Sequence, residues 1–206
     1  MTIQMTRLSG PPHPRLEWSD DESLVRAAAD GDVPAQERLW RTHVDAVYRV
    51  CASQLQPADA EDAVAETFLA AFASGSSFDP GRGSVQAWLL GIAVNQVRRR
   101  WRTDRRVAAT LERVRRSDRR AAMHDDHADG VIARADALIV HAALARLSDS
   151  DRLVLVTQAA GELAPAELAV AIGCSTTAAK VRLHRARRRL ADLLEHDLYP
   201  TPSHDA

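Results

Sequence analysis

The sequence predicts an all-α protein of two small helical domains joined by a flexible linker. Apolar residues recur at three- and four-residue steps through most of the chain, the period of a helix with one buried face. Strand patterns are weak: aromatics make up only 4% of the residues, and the helix formers Ala, Leu, Arg and Glu dominate. The periodicity fails over residues 104–137, which turn basic and then polar. At 206 residues the chain has room for one ordinary domain or two small ones.

Residues 1–17 hold three prolines and no apolar core, so they read as a disordered tail rather than a signal peptide. A first helix is expected after Ser19 as N-cap, with Glu22 three residues on completing a capping box. Its core residues are Leu24, Val25 and Ala28, and Asp30-Gly31-Asp32 ends it. Pro34 suits the first turn of a second helix. There Leu39, Trp40, Val44, Val47, Tyr48 and Cys51 form a core-facing stripe up to Gln56-Pro57. A third helix is expected to open at Asp59, with Glu61 and Asp62 in its first turn complementing the helix dipole. It continues through Val64, Phe68, Leu69 and Phe72. A Ser- and Gly-rich loop over 74–83 follows. Ser84 then caps a fourth helix carrying Trp88, Leu89, Ile92 and Val97 before it turns basic at Arg98. These four helices make one domain over residues 18–103.

The segment 104–137 is basic to Arg120 and then polar through Met123 to Gly130, a flexible linker in composition. The two domains it joins are expected to fold as separate units. The second covers residues 138–196. Leu138, Val140, Leu144 and Leu147 mark one helix. Ser148, with Asp151 three residues later, starts the next, which carries Leu153, Val154 and Val156 and ends at Gly161. Pro165 opens a short helix with Leu168, Ala169 and Ile172, closed by Gly173. Ser175 or Thr176 caps a long basic helix to about Leu194, and residues 197–206 read as a disordered tail.

Net charge is −1, yet the charges are segregated. Arginines cluster over 98–120 and 182–189, Lys180 is the sole lysine, and acids crowd 17–32, 59–66 and 124–136. That asymmetry implies one surface for an anionic polymer and another for a different partner. Cys51 and Cys174 fit no disulfide framework or zinc spacing, so reduced thiols in a cytoplasmic protein are expected. No apolar run reaches transmembrane length. His124, His127 and the aspartates between and after them could suggest a metal site, but a polar linker without a second cluster of ligands is the better account. No metal or cofactor is expected.

Residues 164–190 carry the chemistry. A short helix, a tight turn at Gly173-Cys174-Ser175 and a basic second helix spell a helix-turn-helix. Ala179, Leu183, Ala186, Leu190 and Leu194 form the buried stripe of that second helix, which leaves its cations facing outward. In this motif the N-terminal half of the second helix enters the major groove. Arginine can pair bidentately with guanine there while its neighbours hold phosphates.

Two sets of motifs resemble one family. Ala143-Leu144-Ala145-Arg146-Leu147-Ser148, Glu167-Leu168-Ala169, Gly173 and Lys180 through Arg187 resemble region four of extracytoplasmic-function sigma factors. Asp59-Ala60-Glu61-Asp62, Glu66-Thr67-Phe68-Leu69, Phe78-Asp79-Pro80 and Ala87 through Asn95 resemble region two, in the family's order. The resemblance implies a non-catalytic initiation subunit that binds the clamp helices and flap of core RNA polymerase and promoter DNA. A cognate anti-sigma factor is a further implied partner. It assigns polymerase binding to Asp59, Glu61, Asp62, Glu66 and Phe68. It assigns minus-ten DNA to Phe78, Trp88, Asn95, Arg98 and Arg99, with Phe78 an exposed stacking residue in its loop. Minus-thirty-five DNA falls to Thr177, Lys180, Val181, Arg182, His184, Arg185 and Arg188. The chain departs from the family at Ala164, where Ser or Thr usually caps the first helix of the motif. That loss typically costs about 1 kcal/mol and predicts a frayed helix start. A stand-alone helix-turn-helix regulator would also explain the second domain, but it leaves the first idle.

Overall fold

A computed structural model describes residues 20–115 and 135–198. The expected tail over 1–17, the linker residues 116–134 with His124 and His127, and residues 199–206 lie outside the described residues. Among the described residues there are eight α-helices and no strand.

The first block comprises α1 (Asp21–Ala29), α2 (Val33–Ala52), α3 (Pro57–Ala73), a 3₁₀ turn (Gly75–Ser77) and α4 (Val85–Arg115). Asp20, not Ser19, caps α1: its carboxylate accepts the Ser23 N–H at 2.7 Å, and the Ser23 hydroxyl accepts the Asp20 N–H at 3.4 Å. The capping box is therefore shifted by one residue, and Glu22 pairs with Arg26 instead. Helix α3 begins at Pro57, two residues earlier than expected, because proline at a first-turn position forfeits no hydrogen bond. Only Asp59 then lies in the first turn, and Glu61 and Asp62 are released from dipole compensation. Gly75 is required where α1 crosses the turn, since a Cβ there would sit 2.5 Å from that of Ala29.

Leu39, Val47 and Val50 of α2, Phe68 of α3, and Leu89, Val94 and Val97 of α4 form the centre of this block. Full burial of such side chains contributes about 1.5–3 kcal/mol each. The α2 stripe is narrower than expected. Trp40 and Tyr48 lie at its rim, 40% and 42% exposed. Helix α4 runs on to Arg115, past the expected boundary at 103.

The second block comprises α5 (Ala135–Ala145), α6 (Asp149–Gly161), α7 (Pro165–Ile172) and α8 (Thr176–Leu198). Ser148 caps α6 as expected, accepting the Asp151 N–H at 3.2 Å. Gly161 ends α6 as expected and has a second role. The left-handed residue is Glu162 (φ 50), while a Cβ on Gly161 would meet Leu90 of α4 at 2.7 Å. Ala164 offers no side-chain cap, while Glu167 makes the other half of a capping box by accepting the Ala164 N–H at 3.1 Å. Gly173 closes α7 in the left-handed conformation at φ 68, where lack of a Cβ removes the steric penalty.

The two blocks are docked, which sequence patterns did not anticipate. α7 and α6 lie against α4, α6 also meets α2, and one continuous apolar core spans both blocks. The Ser84 hydroxyl, which accepts the Ala87 N–H at 3.3 Å, donates to Glu167 at 2.6 Å. Arg98 donates to the Ile172 carbonyl at 3.0 Å.

The two cysteines should answer differently to a thiol reagent. Cys51 is fully buried, and burial pushes its thiol pKa up to about 12 despite the nearby Arg100. Cys174 is half-buried in the turn. Titration of the native protein with a disulfide reagent should release one thiol quickly and the second only on unfolding. Two equally fast thiols would contradict this burial.

Candidate nucleic-acid interface

Helix α8 is set by its cap and its stripe. The Ser175 hydroxyl accepts the Ala178 N–H at 3.2 Å, and Ala179, Leu183 and Ala186 are buried. The opposite face exposes Thr177, Lys180, Val181, Arg182, His184, Arg185 and Arg188, each expected DNA residue of this helix. Among the described residues no hydrogen bond or ion pair engages the heads of Lys180, Arg182, Arg185 or Arg188. Other arginines on the helix are occupied: Arg187 donates to Gln158 at 3.2 Å, and Arg189 pairs with Asp151 of α6. The free cations are thus separated from the structural ones by side-chain direction, not by residue type.

Three of the five expected minus-ten residues, Phe78, Trp88 and Asn95, gather around a pocket of about 350 Å³, the low end of ligand-site volumes. Phe78, Trp88, Asn95 and Val170 contribute to its wall. Phe78 corrects the expectation of an exposed stacking ring. It is 9% exposed, with its ring 5.5 Å from that of Trp88, because the loop folds back on α4. Trp88 is half-buried and Asn95 exposed one face along the helix. At 100° per residue, three consecutive arginines part company. Arg98 turns to the end of α7, Arg99 to solvent and Arg100 to α3. Arg98 is the strained one: burial, then the facing Arg182, pull its pKa below the usual arginine value.

On α3 the acidic row is only partly free. Asp59, Asp62 and Glu66 fall on one face and all engage Arg100, Glu66 at 3.3 Å and Asp62 at 3.8 Å. Glu61 lies off that face and is exposed. Phe68 corrects the expectation of a surface contact: it is 1% exposed and stacks 4.6 Å from Trp40. Sequence reasoning missed its neighbour Leu69, which is 66% exposed and continues the Asp62–Glu66 face one turn on. An apolar residue off the buried stripe of α3 was the available signal.

Two family models match the chain: Sigma-70 region 2 over residues 39–107 and Sigma-70, region 4 over residues 137–190. RNA polymerase sigma factor CnrH of Cupriavidus metallidurans is 30% identical over 183 residues, covering 86% of this chain and 95% of CnrH. ECF RNA polymerase sigma factor SigC of Mycobacterium tuberculosis is 32% identical over 191 residues, covering 87% and 96%. Among solved structures, CnrH in complex with the cytosolic domain of CnrY aligns with a TM-score of 0.60 at 29% identity, covering 86% of this chain and 98% of that one. The sigma factor RpoE, in complex with the anti-sigma factor NepR from Bartonella quintana, shares the fold at a TM-score of 0.55 and 24% identity, covering 78% and 97%.

The division of cations on α8 has a measurable consequence. Arg189→Ala should lower stability by the ~0–1 kcal/mol typical of an exposed ion pair. It should leave the salt dependence of duplex-DNA binding near wild type. Arg188→Ala should instead flatten the salt slope by about one. Anisotropy titrations at several salt concentrations, with thermal melts alongside, separate the two. Equal slopes for both variants would show that Arg188 does not meet phosphate.

Proposed function

The chain belongs to the sigma-70 family, as an RNA polymerase sigma factor of the two-region extracytoplasmic-function type that directs promoter-specific transcription, and on that premise we propose how its surfaces divide the work. The exposed face of α8 takes the minus-thirty-five element, with Arg182 and Arg185 at base edges. The α4 face with Trp88, Asn95 and Arg99 takes the minus-ten strand, and Phe78 backs Trp88 from behind. The α3 face of Asp62, Glu66 and Leu69 meets core polymerase, its carboxylates pairing with partner arginines. The observation that carries this assignment is the unengaged cationic face of a helix-turn-helix in one chain with an acidic-to-apolar strip on a second block.

We further propose a cytoplasmic, non-catalytic subunit. Among the described residues no helix is long and apolar enough to cross a membrane. A cognate anti-sigma factor is a proposed partner, by likeness to CnrH, whose structure was solved with the cytosolic domain of CnrY. Run-off transcription with core enzyme on a genomic promoter library tests the whole assignment. Duplex binding without any stimulation of core enzyme would favour a stand-alone regulator.

On the α3 face, Asp62→Arg and Glu66→Arg should each weaken association with core polymerase while helicity by circular dichroism stays intact. Both place a cation beside Arg100, so the loss should be larger than for the corresponding Ala variants. Unchanged affinity in both would remove α3 from the interface.

On α8, Arg185→Ala should relax preference at one position of the minus-thirty-five element, losing about 1–3 kcal/mol of discrimination. Arg188→Ala should weaken binding to all sequences alike. Competition binding against single-base promoter variants measures both. If Arg185→Ala leaves base preference untouched, the helix sits differently in the groove.

A further inference from the structure

The buried stripe of α8 fixes which side chains point straight outward. At 100° per residue, Thr177, Val181 and Arg188 lie within about 30° of the direction opposite Ala179, Leu183 and Ala186. The first half of such a helix is the part that enters the major groove. Thr177 and Val181 therefore face base edges most directly, and Lys180 and Arg182 stand about 100° to either side of Val181.

Val181 is out of place as a surface residue. It is 43% exposed and, among the described residues of α8, the large apolar side chain that is left so. It lies outside the apolar core, between exposed cations. A β-branched residue at a solvated helix position has neither hydration nor helix propensity in its favour. What it does have is stiffness: the branched Cβ restricts its rotamers, so its two methyl groups lose little freedom on contact.

Valine neither donates nor accepts a hydrogen bond. A base pair pressed against it must present something apolar or leave a donor or acceptor without a partner, which is costly. In the major groove guanine shows N7 and O6, cytosine its amino group, and adenine N7 and an amino group. The thymine C5 methyl is the one apolar group on these edges. We infer that Val181 reads a thymine methyl, so that the minus-thirty-five element of this chain carries a T·A pair, on one strand or the other, at the position beneath it. The surrounding cations alone would select guanine there. This inference rests on the assignment of α8 to the minus-thirty-five element and adds the class of base it takes. Thr177 makes no such commitment, because its hydroxyl serves more than one base.

The test removes one methyl group from the DNA. Core polymerase loaded with the full-length chain selects from a duplex pool randomised across the minus-thirty-five element. Each thymine of the selected sequence is then replaced singly by deoxyuracil, which keeps every hydrogen-bonding group and loses only the C5 methyl. At one position wild-type binding should fall about fourfold, the worth of one buried carbon. The same uracil should cost Val181→Ser holoenzyme nothing, while Val181→Ile should keep the loss. With C·G placed at that position, 5-methylcytosine should restore about fourfold to the wild type and nothing to Val181→Ser. Serine matches valine in helix propensity, and equal circular dichroism would verify that the variant folds. A selected element with no uracil-sensitive thymine, or a sensitivity that survives in Val181→Ser, would overturn the inference. Run-off separates the failures. If the selected element drives run-off while the methyl tests fail, only the role of Val181 falls. If selection enriches no sequence, the minus-thirty-five assignment falls and takes the inference with it.

Discussion

One carboxylate organises the junction of this molecule. The first oxygen of Glu167 accepts the Ser84 hydroxyl and the second accepts the Ala164 N–H, so the group that secures the start of α7 also ties α7 to the start of α4. The hydroxyl it accepts from is itself the cap of α4. Two helix starts in different blocks thus share one hydrogen-bonded pair, and displacing either partner is felt at both. The Ser84 bond, partly offset by burial, holds the Glu167 carboxyl below its usual pKa. A depressed carboxylate contributes its stability above the ordinary carboxylate range and loses it as pH falls through the lowered value. The junction is therefore fully formed near neutral pH.

Around that junction, function is sorted by angle. A helix advances 100° per residue, so neighbours in sequence become strangers in space. Arg98, Arg99 and Arg100 reach three different surroundings, and Arg187 to Arg189 reach three more. Composition alone describes both stretches as basic runs. Only the structure shows which cations neutralise the protein's own carboxylates and which remain for a polyanion.

Much of the fold was legible because its signals are local. The caps at Ser84 and Ser148, the left-handed Gly173 and the alternating stripe of α8 depend on residues within one or two turns. The exposure of the α8 residues expected to meet DNA was legible for the same reason, being the complement of its buried stripe. What escaped is what depends on distant residues. Phe78 is buried by Trp88, ten residues on, and Phe68 is stacked against Trp40 of another helix. Gly161 looked like a helix stop because that is glycine's commonest use near a helix end. It does end α6, but it also admits Leu90 from the other block, which no local pattern shows. The missing serine cap at Ala164 was visible, but not the reach of Glu167 from there to Ser84 of the other block.

The Arg100 clasp gives the acidic face a property of its own. Asp59, Asp62 and Glu66 converge on a single guanidinium carried by α4, so their side chains are ordered before anything arrives. An incoming arginine trades one charged partner for another instead of desolvating a bare cluster. Charge balance is kept across such an exchange, so a partner is told apart by shape, by whether it also covers Leu69.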